Sequence, residues 1–232
     1  MRSNLAAQTS PRSWHRAEVL FAATAAFALA FVLLARTELL FPLGASLDRR
    51  MEIRVHGWMS GPVLGVLRSV SFFGSTIFIA AGSVAMTIVL AKLGARRRLQ
   101  AFVASIVGAM LWVQLLKQLF HRARPGLFDP LAHAMGFSFP SGHSALAAAF
   151  FGSLAGLAAA SSRRRREAAG YLAAGVVIVF FVGFSRVALG VHWPTDVLAG
   201  WAVGFGWLAL VFGIGERRAR RARESGVAPV SG

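Results

Sequence analysis

The 232-residue sequence contains no cysteine and only nine acidic residues, and 15% of it is charged. Without cysteine there is no disulfide scaffold and no thiolate-held zinc or iron–sulfur site. With so few carboxylates, and no His-Glu-x-x-His pattern, a divalent-metal centre lacks its usual ligands. Soluble domains carry about 25% charged residues, so a water-facing surface for the whole chain is short of charge. What stands in its place is apolar: 56% of the residues are hydrophobic. That much apolar area excludes an intrinsically disordered chain. The composition is that of one integral-membrane domain, residues 1–232, made of several helices.

Net charge is +16, from 25 basic residues against nine acidic ones. In a soluble protein this surplus would indicate nucleic acid. Here it sits in short clusters between apolar runs and reads as a topology signal, so no nucleic-acid partner is expected. The first apolar run lacks a small-residue cleavage site, and no removable signal peptide is expected.

A bilayer core requires about 20 apolar residues per helix. Six stretches free of Asp, Glu, Lys and Arg qualify: residues 19–35, 69–91, 99–116, a span within 130–162, 168–185 and 197–215. Helix is the spanning form expected, because the backbone must satisfy its own hydrogen bonds in lipid. The period-2 alternation of a membrane barrel is absent. The expected class is therefore all-α, a polytopic protein of six transmembrane helices. Segment 39–68, broken by Pro42, Gly57, Gly61 and Pro62, is expected to form short interfacial helices between the first and second spans.

Lys and Arg collect on one side of such a layout, at Arg2, Arg12 and Arg16, Lys92 with Arg96, Arg97 and Arg98, residues 163–166, and Arg217, Arg218, Arg220, Arg221 and Arg223. These are 16 of the 25 basic residues, so that side is expected to be cytoplasmic. Both termini, as basic tails 1–17 and 216–232, then lie inside. Segment 39–68 and the ends holding residues 117–140 and 186–196 are then expected to face out. Trp14, Trp58 and Trp193 are expected as interfacial aromatics, and Phe72, Phe73, Phe180 and Phe181 as core or lipid contacts.

Lys117, Arg122 and Arg124 fall on the side where positive charge should be scarce, and Arg186, His143, His192 and Asp196 border apolar spans. Ionisable groups at such depths are costly and are candidates for function. Singly, each has a structural explanation: snorkelling, complementing a helix dipole, or capping a helix. Together the spacing is more informative. Lys117 and Arg124 are seven apart, two helical turns, and would share one face if the helix ran through them. Pro125 ends that helix. Ser141 before Gly142 and His143 reads as a helix start, whose free N–H groups favour anions. Pro194 suits a first helical turn, which would bring Asp196 within reach of the His192 imidazole. Cations, backbone donors and two histidines at one face suit a phosphoryl group, whose charge is spread over three oxygens in the transition state.

These residues form three patterns: Lys117 to Arg124-Pro125, Pro140-Ser141-Gly142-His143, and Ser185-Arg186 followed by His192 and Asp196. In this order and spacing they resemble the KxxxxxxRP, PSGH and SRxxxxxHxxxD motifs of the type 2 phosphatidic acid phosphatase superfamily, which includes the vanadium haloperoxidases. The resemblance covers residues 117–196 directly, and the six-span layout extends it. It implies a nucleophilic His192 that forms a phosphohistidine, oriented by Asp196, with His143 as general acid. It implies that Lys117, Arg124 and Arg186, with Ser141 and the Gly142 N–H, hold the phosphoryl oxygens, and that no metal or organic cofactor is needed. Ser185 and Pro140 would shape the backbone.

The activity expected is hydrolysis of a lipid phosphate monoester or pyrophosphate, such as phosphatidate, phosphatidylglycerophosphate or a prenyl pyrophosphate. It would take place on the periplasmic side of a bacterial inner membrane, with lipids as the partners. Phosphotransfer to another acceptor uses the same residues and stays open. A lipid transporter is the competing class, but it calls for repeated halves, which this sequence does not display. His121, outside the motif positions, reads first as a solvated histidine, with a helper role on the Lys117 face as the alternative, while Arg122 and Asp129 read as loop residues that could contact a headgroup.

Overall fold

The computed structural model describes residues 11–40, 42–59, 61–132 and 134–225, and helix is the only regular secondary structure among them. Residues 1–10 and 226–232 of the expected tails lie outside the described residues, as does the side chain of Trp14. Eight helices follow one another: α1 (Pro11–Leu40), α2 (Pro42–His56), α3 (Gly61–Phe73), α4 (Thr76–Lys92), α5 (Arg96–Phe120), α6 (Gly142–Ser161), α7 (Arg165–Ala188) and α8 (Pro194–Glu224).

Five of them contain stretches long and apolar enough to cross a membrane: Arg16–Arg36, Arg96–Phe120, Gly142–Ser161, Arg165–Ala188 and Pro194–Glu224. The expected second span, residues 69–91, is not one helix. It is the pair α3 and α4, bent by 43°. The break falls at Gly74-Ser75. Ser75 caps α4 by accepting from the Phe78 N–H at 3.2 Å. A Cβ on Gly74 would stand 2.3 Å from the Val182 side chain and 3.4 Å from the His143 ring. Only glycine lets this elbow approach α7 and the start of α6 so closely. Counting the bent pair as one span gives six.

α6 is the centre of the bundle, packed by α4, α5, α7 and α8. Its alanines make this possible: Ala145, Ala147, Ala148 and Ala149 are fully buried, and small side chains let neighbouring backbones come near. On α8, a Cβ at Gly200 or Gly204 would meet the backbone oxygen of Ser141 at 2.6 Å or of Ala145 at 2.4 Å. These glycines fix α8 against the start of α6, where two of the motifs meet. α8 runs nine residues past the expected boundary at 215, because its charged tail continues the helix. Phe72, Phe73, Phe180 and Phe181 are all exposed on the bundle surface.

α2 occupies the region expected to hold interfacial helices. Asp48, Glu52 and Val55, at helical spacing, form its buried stripe, while Arg49, Arg50 and Arg54 face out. Two acids on the inner face of a helix are unusual. Asp48 is paired to Arg122 at 2.7 Å, but neither carboxylate oxygen of Glu52 has a hydrogen-bond partner among the described residues. Burial, reinforced by Asp48 and then Asp196, pushes the Glu52 carboxyl up to about 7.

Between its ordinary value and about 7 the folded protein therefore holds a proton that the unfolded chain has released. Stability falls as pH rises through that window. Glu52→Gln, which removes the ionisation, is expected to raise the melting temperature at pH 8 and to leave it nearly unchanged at pH 4.5. Equal melting temperatures at pH 8 would contradict a buried carboxyl held in its neutral form.

Candidate active site

One end of the bundle gathers the motif residues, and local chemistry explains how. α5 stops at Phe120, short of Arg124, because His121 adopts a left-handed conformation (φ 48) and its N–H closes on the Lys117 oxygen at 3.1 Å. Lys117 and Arg124 therefore do not share a helical face, as their spacing suggested. They converge because the chain reverses after the helix. The His121 ring packs edge-on to Phe137, 4.4 Å between centroids, which gives it a capping and packing role rather than the helper role considered for it.

Loop 121–141 then folds back over the site. Arg124 reaches the carbonyls of Met135 (2.8 Å), Gly136 (3.0 Å) and Val191 (2.7 Å), and Lys117 reaches that of Phe137. Asp129 stays in the loop. Ser141 caps α6, and a Cβ on Gly142 would meet only Val113, at 3.6 Å. α7 delivers Arg186, whose Nη1 donates to Ser71 of α3 at 2.5 Å. Pro194 opens α8 in its first turn.

A cavity of about 280 Å³ results, and Lys117, Arg124, Gly142, His143, Arg186 and His192 all line it. Apolar residues Met110, Val113 and Leu146 form another wall. Two of the expected site residues are not on the wall. The Ser141 hydroxyl is buried and accepts from the Ser144 hydroxyl (3.0 Å) and N–H (3.4 Å), which makes it a cap rather than a wall group. Asp196 lies fully buried behind His192.

The His192 ring is held from both sides. Nδ1 is 3.2 Å from Asp196 Oδ2, and Nε2 is 3.2 Å from Arg124 Nη1. A guanidinium can only donate, so Nε2 carries the lone pair and Nδ1 the proton. Burial, together with Arg124 and Arg186, pushes His192 down to about 4 against the opposing pull of Asp196. The site thus favours the uncharged imidazole, whose Nε2 lone pair accepts from Arg124. Burial likewise lowers Arg124 from its ordinary value.

Arg122 is where the sequence reading falls short. It sits in the loop as expected, but its side chain turns inward. Nη1 donates to Asp196 Oδ1 (2.6 Å) and Thr195 Oγ1 (2.8 Å), and Nη2 to Asp48 Oδ2 (2.7 Å). Trp193 is no simple interfacial aromatic either, since its ring lies 5.6 Å from the Arg122 guanidinium and its Nε1 donates to the Ala123 oxygen. Nothing in the sequence pairs residues 48 and 122. The available signal was two acids four apart on a helix that otherwise exposes arginines. Among the described residues, no group of three or more His, Asp or Glu side chains could hold a metal ion.

Phosphatidylglycerophosphatase B of Bacillus subtilis (strain 168) is 41% identical over 105 residues, which is 45% of this chain and 51% of that protein. Lipid A 1-phosphatase of Rhizobium etli is 36% identical over 138 residues, 52% of this chain and 55% of that protein. The chain thus spans about half the length of the curated relatives it matches. Among solved structures, the first transmembrane PAP2 type phosphatidylglycerolphosphate phosphatase from Bacillus subtilis superposes with a TM-score of 0.73 at 24% identity. That match covers 90% of this chain and 98% of the other. Aquifex aeolicus LpxE gives 0.57 at 21% identity, over 74% and 95% of the two chains. These two share the fold. Residues 98–220, more than half of the chain and inclusive of Lys117, Arg124, Gly142, His143, Arg186 and His192, match the PAP2 superfamily, and the protein belongs to it.

Proposed function

We propose that the protein is a metal-independent lipid phosphatase that works through a phosphohistidine on His192. The observation that carries this reading is one cavity lined by Lys117, Arg124, Arg186, His143 and His192, with the His192 Nε2 lone pair turned toward Arg124. Three fixed cations and the Gly142 N–H would hold the non-bridging oxygens of a phosphate. Such donors act without reorganising as charge redistributes.

His192 Nε2 attacks phosphorus and the bond to the ester oxygen breaks. A phosphate dianion bound among the cations would supply the negative charge that lets His143 carry a proton, and His143 gives that proton to the ester oxygen, so the lipid leaves as an alcohol. The positive charge that develops on His192 is compensated by Asp196 through Nδ1–H. A water then attacks the phosphoryl group, the P–N bond breaks, and the neutral His143 takes the water's proton. The apolar wall of Met110, Val113 and Leu146 supports a lipid substrate, since it offers the first carbons a dry surface while the headgroup meets the cations. The names of the relatives favour a headgroup phosphate monoester.

Phosphate release by the purified protein in detergent, with EDTA present, tests the reading. Phosphatidate, phosphatidylglycerophosphate and a prenyl pyrophosphate form the panel, and at least one should be hydrolysed. His192→Ala is expected to abolish release. Asp196→Asn is expected to lower it by about 10²-fold or more, as misplacing a reacting group does. Folded wild-type protein that releases nothing, or full activity in His192→Ala, would overturn it.

We also assign the site to the outer face of the membrane, because the opposite end of the bundle carries Arg16, Arg97, Arg98 and Arg223 around one cavity, as the positive-inside rule requires. The chain has no cysteine, so single cysteines report topology cleanly. Met135 is 93% exposed at the site, and the Arg164 side chain is 83% exposed at the other end. Met135→Cys is expected to react with an impermeant maleimide on intact cells and Arg164→Cys only after permeabilisation. The reverse pattern would invert the assignment.

A further inference from the structure

Residues 42–75 precede the matched region and contain none of the three motifs, yet the site leans on them. Ser71 of α3 accepts from Arg186, and Gly74 borders His143. The strongest tie is Asp48 on α2. Its Oδ2 accepts from Arg122 Nη2 (2.7 Å) and Thr195 Oγ1 (2.5 Å), and its Oδ1 from the Thr195 N–H (3.0 Å). Arg122 and Thr195 also bond each other at 2.8 Å. Arg122 then donates to Asp196 Oδ1 at 2.6 Å, leaving Oδ2 for His192 and the Trp193 N–H.

The two carboxylates at the ends of this chain are shielded from solvent. Asp48 is 1% exposed and Asp196 is fully buried. A guanidinium forks in one plane, so anchoring one nitrogen on Asp48 fixes the direction in which the other points. The His56 ring, at the end of α2, stacks on Phe128 with centroids 3.8 Å apart and planes at 2°. This ties α2 a second time to the loop that carries Arg122.

We propose that Asp48 is a positioning residue of the reaction: acting through Arg122 and Thr195, it aims the Asp196 carboxylate at His192 Nδ1. Among the described residues Asp48 has no hydrogen bond to His192 and does not line the cavity, so its effect is on turnover rather than binding. A partner one step removed from the reacting group commonly changes activity by about 10- to 100-fold when lost. The inference rests on the phosphohistidine reading above.

The test is steady-state hydrolysis, by the full-length protein, of whichever lipid phosphate the wild type turns over, with thermal melting alongside. Asp48→Asn keeps the shape and removes the charge that orients Arg122. It is expected to lower kcat about 10- to 100-fold and to hold KM within about two-fold, the signature of a contact that matters only in the transition state. An unchanged kcat per folded molecule would overturn the inference and reduce Asp48 to a tether for α2. If Asp48→Asn does not fold, Thr195→Val removes two of the bonds in the chain and carries the same test: a lowered kcat at unchanged KM supports the proposal and an unchanged kcat refutes it. Wild-type protein that hydrolyses nothing is a separate outcome, because it removes the underlying reading and this inference with it.

Discussion

A carboxylate that is fully buried must have every lone pair answered or it costs several kcal/mol. Asp196 meets that demand with three donors from three directions: Arg122 on Oδ1, and the His192 ring and Trp193 N–H on Oδ2. Its main-chain oxygen also accepts from the Ser141 N–H at 2.9 Å. The start of α8, the start of α6 and loop 121–141 are therefore joined at one residue. The cavity is what remains between them once Asp196 is satisfied.

The rest of the bundle makes this junction possible. Glycines at 200 and 204 bring α8 within backbone contact of α6, which places His192 and His143 on the same cavity. The elbow at Gly74 brings α3 to Arg186. Three cations crowd a small space, and among the described residues no carboxylate lines the cavity. That repulsion is held in place by packing and by the carbonyls that Arg124 and Lys117 reach. An arriving phosphate would relieve it, which is how a site tuned to a dianion differs from a set of ordinary surface pairs.

The spans were legible because lipid imposes one rule, about 20 apolar residues without charge, and residues 99–116, 168–185 and 197–215 each fall inside a single helix. The cations and histidines of the cavity wall were legible because they sit in three short patterns. What could not be read was anything that depends on long-range pairing. The second span looks continuous from residue 69 to 91, because Gly74 breaks a helix only in the presence of Val182 and His143. The helix through Lys117 looked long enough to include Arg124, because a left-handed histidine is rare and no composition announces it. Arg122 read as a loop cation because its partners, Asp48 and Asp196, lie 74 residues away on either side. Ser141 was expected at the phosphate, but the geometry of a cap turns its hydroxyl into the helix.

The central claim is that the His192 Nε2 takes the phosphoryl group covalently. Acid-labile, base-stable label bound to the protein, measured by rapid quenching during turnover of a phosphate-labelled lipid and located by mass spectrometry of the intact digest, tests it directly. Label on His192 that forms and decays at the rate of turnover is the result expected. Turnover with no bound label under conditions that preserve phosphohistidine, or label on another residue, would contradict the account.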